Sequence, residues 1–202
     1  MRNYLSGALI VAATMLPLSA ANALIVTSNS VAGANSADTG LSTPGVLAAD
    51  IAFDGFANGV STITLDVELE AADIGPSLAL NGIVDNLTGL NLTALDLTLD
   101  GTTFSAIGSV VPGFSAAPTI IGGVGDQSLS ILFADPGEGF GADLGDVGFG
   151  GADFGIDIGS FVAGDSFSLK FNAVDDVSAP GALGLMLLGV AGLGWARARR
   201  AS

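Results

Sequence analysis

Residues 60–70 alternate so strictly that an extended strand is the one backbone that accommodates them. Ile63, Leu65, Val67 and Leu69 occupy every second position, separated by Thr64, Asp66 and Glu68. Successive side chains of a strand point to opposite faces, so this segment buries one face and wets the other. Several of its residues are β-branched, which favours the same conformation.

The period recurs along the chain. In residues 166–171, Phe167, Leu169 and Phe171 are predicted to point inward, with Ser166, Ser168 and Lys170 outward. Residues 128–133 also alternate. In residues 90–100, Leu90 and Leu92 share one phase and Leu95, Leu97 and Leu99 the other, with the slip at Ala94. A β-bulge there returns both leucine sets to one face. Shorter strands are expected at 24–27, 50–56, 78–83 and 119–121. Residues 27–43, rich in Ser, Ala, Asn and Gly, read as loop. So does the Gly/Asp/Phe-rich stretch 135–165, with one short strand at 154–158 and Phe140, Phe149, Phe154 and Phe161 pinning it to the core.

These signals predict an all-β body, an antiparallel sandwich or jelly-roll, with a β-solenoid as the alternative. No fixed-period repeat supports the solenoid. No proline- or charge-rich linker divides residues 24–176, so they read as one domain, long enough to bury a sizeable core.

Charge is distributed unevenly. All 20 acidic residues lie between Asp38 and Asp176, and Lys170 is the one basic residue from Leu24 to Asp176. The body therefore carries a formal charge of −19. Such a surface repels nucleic acid and anionic lipid. The chain has no Cys and no His, which excludes disulfides, thiol chemistry and the commonest general base and zinc ligand.

The remaining basic residues mark the two ends. Arg2 precedes an apolar stretch that runs from Leu5 to Leu18, followed by Ala21-Asn22-Ala23, a small-x-small site for signal peptidase. Residues 1–23 thus read as a secretory signal peptide for the Sec translocon. Residues 177–202 carry a Pro180-Gly181 break, an apolar run at 182–196, and Arg197, Arg199 and Arg200. As a helix the run spans ~22 Å, short of a ~30 Å hydrocarbon core. The arginines would stay cytoplasmic and hold the body outside, as the leader also requires.

This tail resembles the PEP-CTERM sorting domain of Gram-negative bacteria. The likeness rests on Pro180-Gly181-Ala182-Leu183, the glycine-spaced run from Leu188 to Gly194, and the arginine end. Ser178-Ala179-Pro180 stands where the family has Pro-Glu-Pro. The resemblance covers 26 of 202 residues. It implies transient inner-membrane anchoring, recognition by an exosortase-type protease at Ser178, Ala179, Pro180 and Gly181, and delivery to the cell surface or extracellular matrix.

Four further groupings bring chemistry-bearing residues together. Asp66, Glu68 and Glu70 share a strand face at the spacing glycosidase carboxylates use, but a wet acidic strand produces the same pattern. Ser168 and Lys170 share a face without any recognisable oxyanion element, and read as a surface pair. Asp143, Asp146, Asp153 and Asp157 lie among glycines and are the calcium candidates, although the EF-hand spacing is absent. Gly122-Gly123-Val124-Gly125-Asp126 differs by one residue from the calcium turn of β-helices. No other cofactor is expected.

The sequence therefore points to a non-enzymatic exported surface or extracellular-matrix protein, associated with biofilm or exopolysaccharide. The alternatives are a secreted carbohydrate- or calcium-binding module and an extracellular carboxylate-dependent hydrolase. Terminal mass spectrometry of the exported protein should find Leu24 as the first residue; an intact Met1 end would refute the leader.

Overall fold

The computed structural model describes residues 24–31, 35–56, 60–134, 137–148 and 150–175. Alternation becomes structure throughout. In chain order the strands are β1 (Ile25–Val31), β2 (Ser36–Asp38), β3 (Val46–Ala48), β4 (Asp50–Phe53), β5 (Val60–Glu68), β6 (Ser77–Asn86) and β7 (Leu92–Asp100). They continue with β8 (Phe104–Ala106), β9 (Val110–Pro112), β10 (Thr119–Ile121), β11 (Ser128–Leu132), β12 (Gly141–Leu144), β13 (Phe154–Asp157) and β14 (Ser166–Asp175). Among the described residues there is no helix.

The strands form two sheets. The first has the order β1-β5-β14-β7-β11-β10, antiparallel at every pairing. The second follows β2-β4-β6-β12-β9, with β3, β8 and β13 joined to it through β6 and β13. It is mixed, because β3 and β4 both run parallel to β6. An antiparallel body was expected, so this sheet is a correction. The cause is the course of the chain over residues 46–53, which lays both short strands along β6 in its own direction. The pairing also departs from the stacked parallel ladders of a β-solenoid.

The apolar faces of both sheets enter one core cluster. The six-stranded sheet contributes Ile63, Leu65 and Val67 from β5, Leu95, Leu97 and Leu99 from β7, and Phe167, Leu169 and Phe171 from β14. The other sheet contributes Ile51, Phe53, Leu78, Leu80, Leu144, Phe154 and Ile156. Burying each such side chain is worth ~2 kcal/mol against exposure, the main term opposing chain entropy. The phase slip in β7 is the expected bulge. Asp175 pairs with Leu92 and Val174 with Ala94, leaving Thr93 as the extra residue. Leu92 and Leu95 are consequently both buried, while Leu90, outside the strand, is 47% exposed.

Both predicted loops contain strands. β1 continues to Val31 and β2 forms at Ser36–Asp38, inside the stretch read as loop. β12 forms at Gly141–Leu144, where glycines mask a four-residue alternation. Of the phenylalanines expected to pin residues 135–165, Phe154 is buried and Phe161 packs against the core with its ring 6.3 Å from Phe167. Phe140 is 64% exposed instead, and Phe149 lies outside the described residues.

β6 organises the second sheet. Its first half lies between β3 and β13, its second half between β4 and β12. Gly82 stands at the changeover, where the chain passes from β3 to β4 through Ala49. A Cβ on Gly82 would sit 2.0 Å from the Ala49 carbonyl oxygen, with backbone as the obstacle. A Cβ on Gly123, in an open turn, would find nothing nearer than 3.8 Å. Gly82→Ala should therefore destabilise the protein by ~2 kcal/mol or more, in the range of overpacking, and Gly123→Ala by under ~0.5 kcal/mol. Thermal unfolding of the two variants checks this; equal melting shifts would refute the close approach.

Candidate functional site

Two outward surfaces and one buried carboxylate carry the polar chemistry of the body. The outer face of the six-stranded sheet follows directly from alternation. Thr62, Asn172, Asp96 and Ser130 face one another across β5, β14, β7 and β11. They form one hydrogen-bonded row. Thr62 Oγ1 donates to Asn172 Oδ1 at 2.9 Å, Asn172 Nδ2 to Asp96 Oδ2 at 3.4 Å, and Ser130 Oγ to Asp96 Oδ1 at 2.6 Å. The next row is Thr64, Lys170, Thr98 and Ser128, and the one after joins Asp66, Ser168 and Asp100. Sheet geometry spaces these groups ~4.8 Å across strands and ~7 Å along them. Ser168 Oγ donates to Asp66 Oδ1 at 2.5 Å, so the Ser168 hydroxyl is turned to a carboxylate rather than to Lys170. A cavity of about 410 Å³ opens over Thr64, Thr98, Gln127 and Lys170.

The outer face of the second sheet differs in character. Ile83, Asp143 and Val111 stand opposite one another on β6, β12 and β9. Asp85 follows two residues beyond Ile83, opposite Gly141, which brings no side chain. The result is a groove of about 310 Å³ lined by Ile83, Asp85, Val111, Pro112, Phe140 and Asp143, among others. Phe140 lies against Phe114, ring centroids 4.3 Å apart. Burial pushes the Asp143 carboxyl above the ordinary aspartate value, and the neighbouring Asp85 carboxylate adds to the shift.

Glu138 fixes the rim of this groove. The residue is wholly buried. Its Oε2 accepts the backbone N–H groups of Phe114 at 2.9 Å and Ser115 at 2.8 Å, and its Oε1 those of Phe140 at 3.0 Å and Gly141 at 3.5 Å. Its backbone pairs reciprocally with Leu92, at the start of β7, both bonds 2.8 Å. Asn86 Nδ2, at the end of β6, donates to the carbonyls of Leu90, Glu138 and Gly139. One node therefore ties both sheets to the two loops that present Phe114 and Phe140. Burial pushes the Glu138 carboxyl up, but the amides of Phe114, Phe140 and Ser115 outweigh it and hold the group below the ordinary glutamate value.

Sequence reasoning did not find this node. A signal was present: Glu138 is the only glutamate after Glu70, set between glycines. Its partners are backbone amides, which no side-chain motif can announce.

The calcium candidates do not converge. Asp143 belongs to the groove. Asp153 Oδ1 accepts from Asp146 N at 2.7 Å and from Asn81 Nδ2 at 3.2 Å. Asp146 Oδ1 accepts from Gly148 and Gly150, and Asp157 Oδ1 from Gly159. In the turn from Gly122 to Asp126, Asp126 Oδ2 accepts from Gly123 at 2.7 Å. Among the described residues no three acidic side chains gather as metal ligands. Ala21 and Ala23, the motif Ser178, Ala179, Pro180 and Gly181, and Arg197, Arg199 and Arg200 lie outside the described residues. Among the described residues no helix is long and apolar enough to cross a membrane. Compared with known proteins, the chain matches no family model, no curated protein and no solved structure.

Glu138→Gln replaces one acceptor oxygen with an amide that faces backbone donors. It should cost ~2–3 kcal/mol at neutral pH. The sign with pH follows from the lowered carboxyl. The native contribution is complete above the unfolded value near 4.5 and is lost as pH falls through the folded value. The stability gap between native protein and variant should therefore narrow in acid. Denaturant unfolding at pH 7 and pH 3 measures it, and an unchanged gap would remove ionised Glu138 as the cause.

Proposed function

We propose that this chain is an exported, non-enzymatic surface or extracellular-matrix protein, whose body is a β-sandwich that presents its polar sheet face to hydroxyl-rich polymer. The row Thr62, Asn172, Asp96 and Ser130, with the rows beside it, is the observation that carries the reading. A grid of hydroxyl, amide and carboxylate groups can exchange its mutual hydrogen bonds for those of sugar hydroxyls without moving the backbone. Bonds that involve a carboxylate are the stronger ones, so the acidic rows suit such acceptor-rich recognition. The net charge of −19 keeps the body clear of nucleic acid and anionic lipid, which leaves neutral polymers and cations as partners.

Delivery follows from the ends. The leader directs the chain to the Sec translocon and signal peptidase. The tail holds it transiently in the inner membrane until an exosortase-type protease releases it to the surface or medium. A secreted carbohydrate-binding module is the second reading, favoured by the same grid. It differs in recognising one defined sugar rather than matrix polymer at large.

Fractionation of the native host, with and without its exosortase-type protease, tests delivery. The mature protein should occur in the envelope or medium, and deletion of the protease should retain it in the inner membrane with Ser202 intact. Retention on the host's purified exopolysaccharide tests the face: Asp96→Ala combined with Asn172→Ala should reduce it at least ~fivefold, since each broken hydrogen bond is worth ~1 kcal/mol. Full-length protein in the cytosol, or retention indifferent to both changes, would overturn the proposal.

A further inference from the structure

The groove on the second sheet has a composition that solvation alone does not explain. Ile83, Val111 and Phe140 leave 38%, 46% and 64% of their surface bare there, and Phe114, against Phe140, leaves 77%. They surround two carboxylates. Asp85 and Asp143 sit diagonally across the β6–β12 pair, ~7 Å apart between α-carbons. The body's one basic side chain, Lys170, is on β14 in the other sheet, so no cation of the body's own can neutralise the pair.

We propose that this groove binds an organic ammonium ion, a quaternary or protonated nitrogen carried on an apolar frame. The occupant follows by complementarity. Anions are repelled by Asp85 and Asp143. A hard metal ion takes six to eight oxygens, and the apolar walls cannot replace the water it would shed. A neutral apolar molecule would leave the carboxylates unused. An ammonium ion on carbon uses everything present: its charge faces the two carboxylates, its methyl or methylene groups cover Ile83 and Val111, and its positive edge meets the ring of Phe140.

The groove is built before any ligand arrives. Glu138 holds the amides of Phe114, Ser115 and Phe140 from beneath. Gly141 keeps the floor clear, and a Cβ there would fall 1.9 Å from the Val84 carbonyl oxygen, so the notch cannot be filled without moving β6. Preformed walls spare a ligand the entropy of ordering them. Burial first, and the neighbouring Asp85 carboxylate second, raise the Asp143 carboxyl; a bound positive charge would offset the second of these. The inference is independent of the polymer-binding face, which lies on the other sheet.

Titration of the isotopically labelled full-length chain, in non-ionic detergent, with choline chloride at constant ionic strength is the test. Saturable amide shifts are expected at residues 83–85, at Val111 and Gly113, and at residues 140–143. Asp85→Asn, at an exposed position that leaves the fold intact, and Asp143→Asn should each weaken binding about tenfold. Phe140→Ala should weaken it about threefold, as for a cation–ring contact at an exposed site. Asp66→Asn, on the opposite sheet, should leave it unchanged. 3,3-Dimethylbutan-1-ol, the uncharged isostere of choline, should bind at least tenfold more weakly. Equal binding of that alcohol would reduce the groove to an apolar cleft and overturn the inference. So would displacement of choline by equimolar calcium chloride, or choline shifts spread over the Asp66 face.

Discussion

Carboxylates in this body are answered by backbone amides and, on the polar sheet face, by neutral hydroxyl and amide side chains, because side-chain cations are almost wholly missing. Twenty acids against one lysine leave no other donor of comparable strength. The pattern repeats from end to end. Asp38 accepts from the N–H of Gly40, Asp126 from Gly123, Asp146 from Gly148 and Gly150, Asp157 from Gly159, and Asp165 from Val162. Asp73, nearly buried, accepts from Glu70 and Gly45. Glu138 is the same device taken into the interior. The abundance of glycine and of aspartate is thus one fact. Aspartate bonds the amide two residues on or nearby, and glycine adopts the turn this requires. Among the described residues no buried side-chain nitrogen or oxygen lacks a partner.

That arrangement decides how much was legible. The long strands β5, β7, β11 and β14 announced themselves, since each alternates over at least five residues and buries one face. The bulge in β7 was readable from the slipped leucines alone. Short strands were legible in part: β4, β10 and β13 lie where strands were expected, whereas β2, β3, β8 and β9, three residues each, showed no period. β12 was hidden because two of its positions carry Gly and Ala, which leave no hydrophobic signature. The parallel pairing of β3 and β4 with β6 depends on where a chain returns, and local residues hold no record of that. The polar grid could be read residue by residue, but not as a grid, because rows form only once register is set. The groove was not readable in any form: Asp85, Val111, Phe114, Phe140 and Asp143 come from three strands and two loops.

The two faces differ in build. On one, side chains satisfy each other in hydrogen-bonded rows. On the other, Gly141 and Gly113 withhold side chains, and apolar and acidic groups border the space left. The node at Glu138 and Asn86 lies where the sheets meet at one end and ties the rim of the groove to both. The polar rows are thus carried by strands alone, whereas the groove also takes Phe114 and Phe140 from two loops that Glu138 ties down.

The border strands, β1 and β10 in the first sheet and β2, β3, β8 and β9 in the second, each have a ladder neighbour on a single side among the described residues. Such borders invite another chain to add to the ladder. What holds them apart between copies is mutual repulsion of bodies that each carry −19, and its reach is set by the surrounding medium. In fresh water, at ~0.01 M salt, that reach is ~30 Å, while in brine near ~1 M it shrinks to ~3 Å. Salt therefore sets how closely two copies of this body can approach: far apart where ions are scarce, near where they abound.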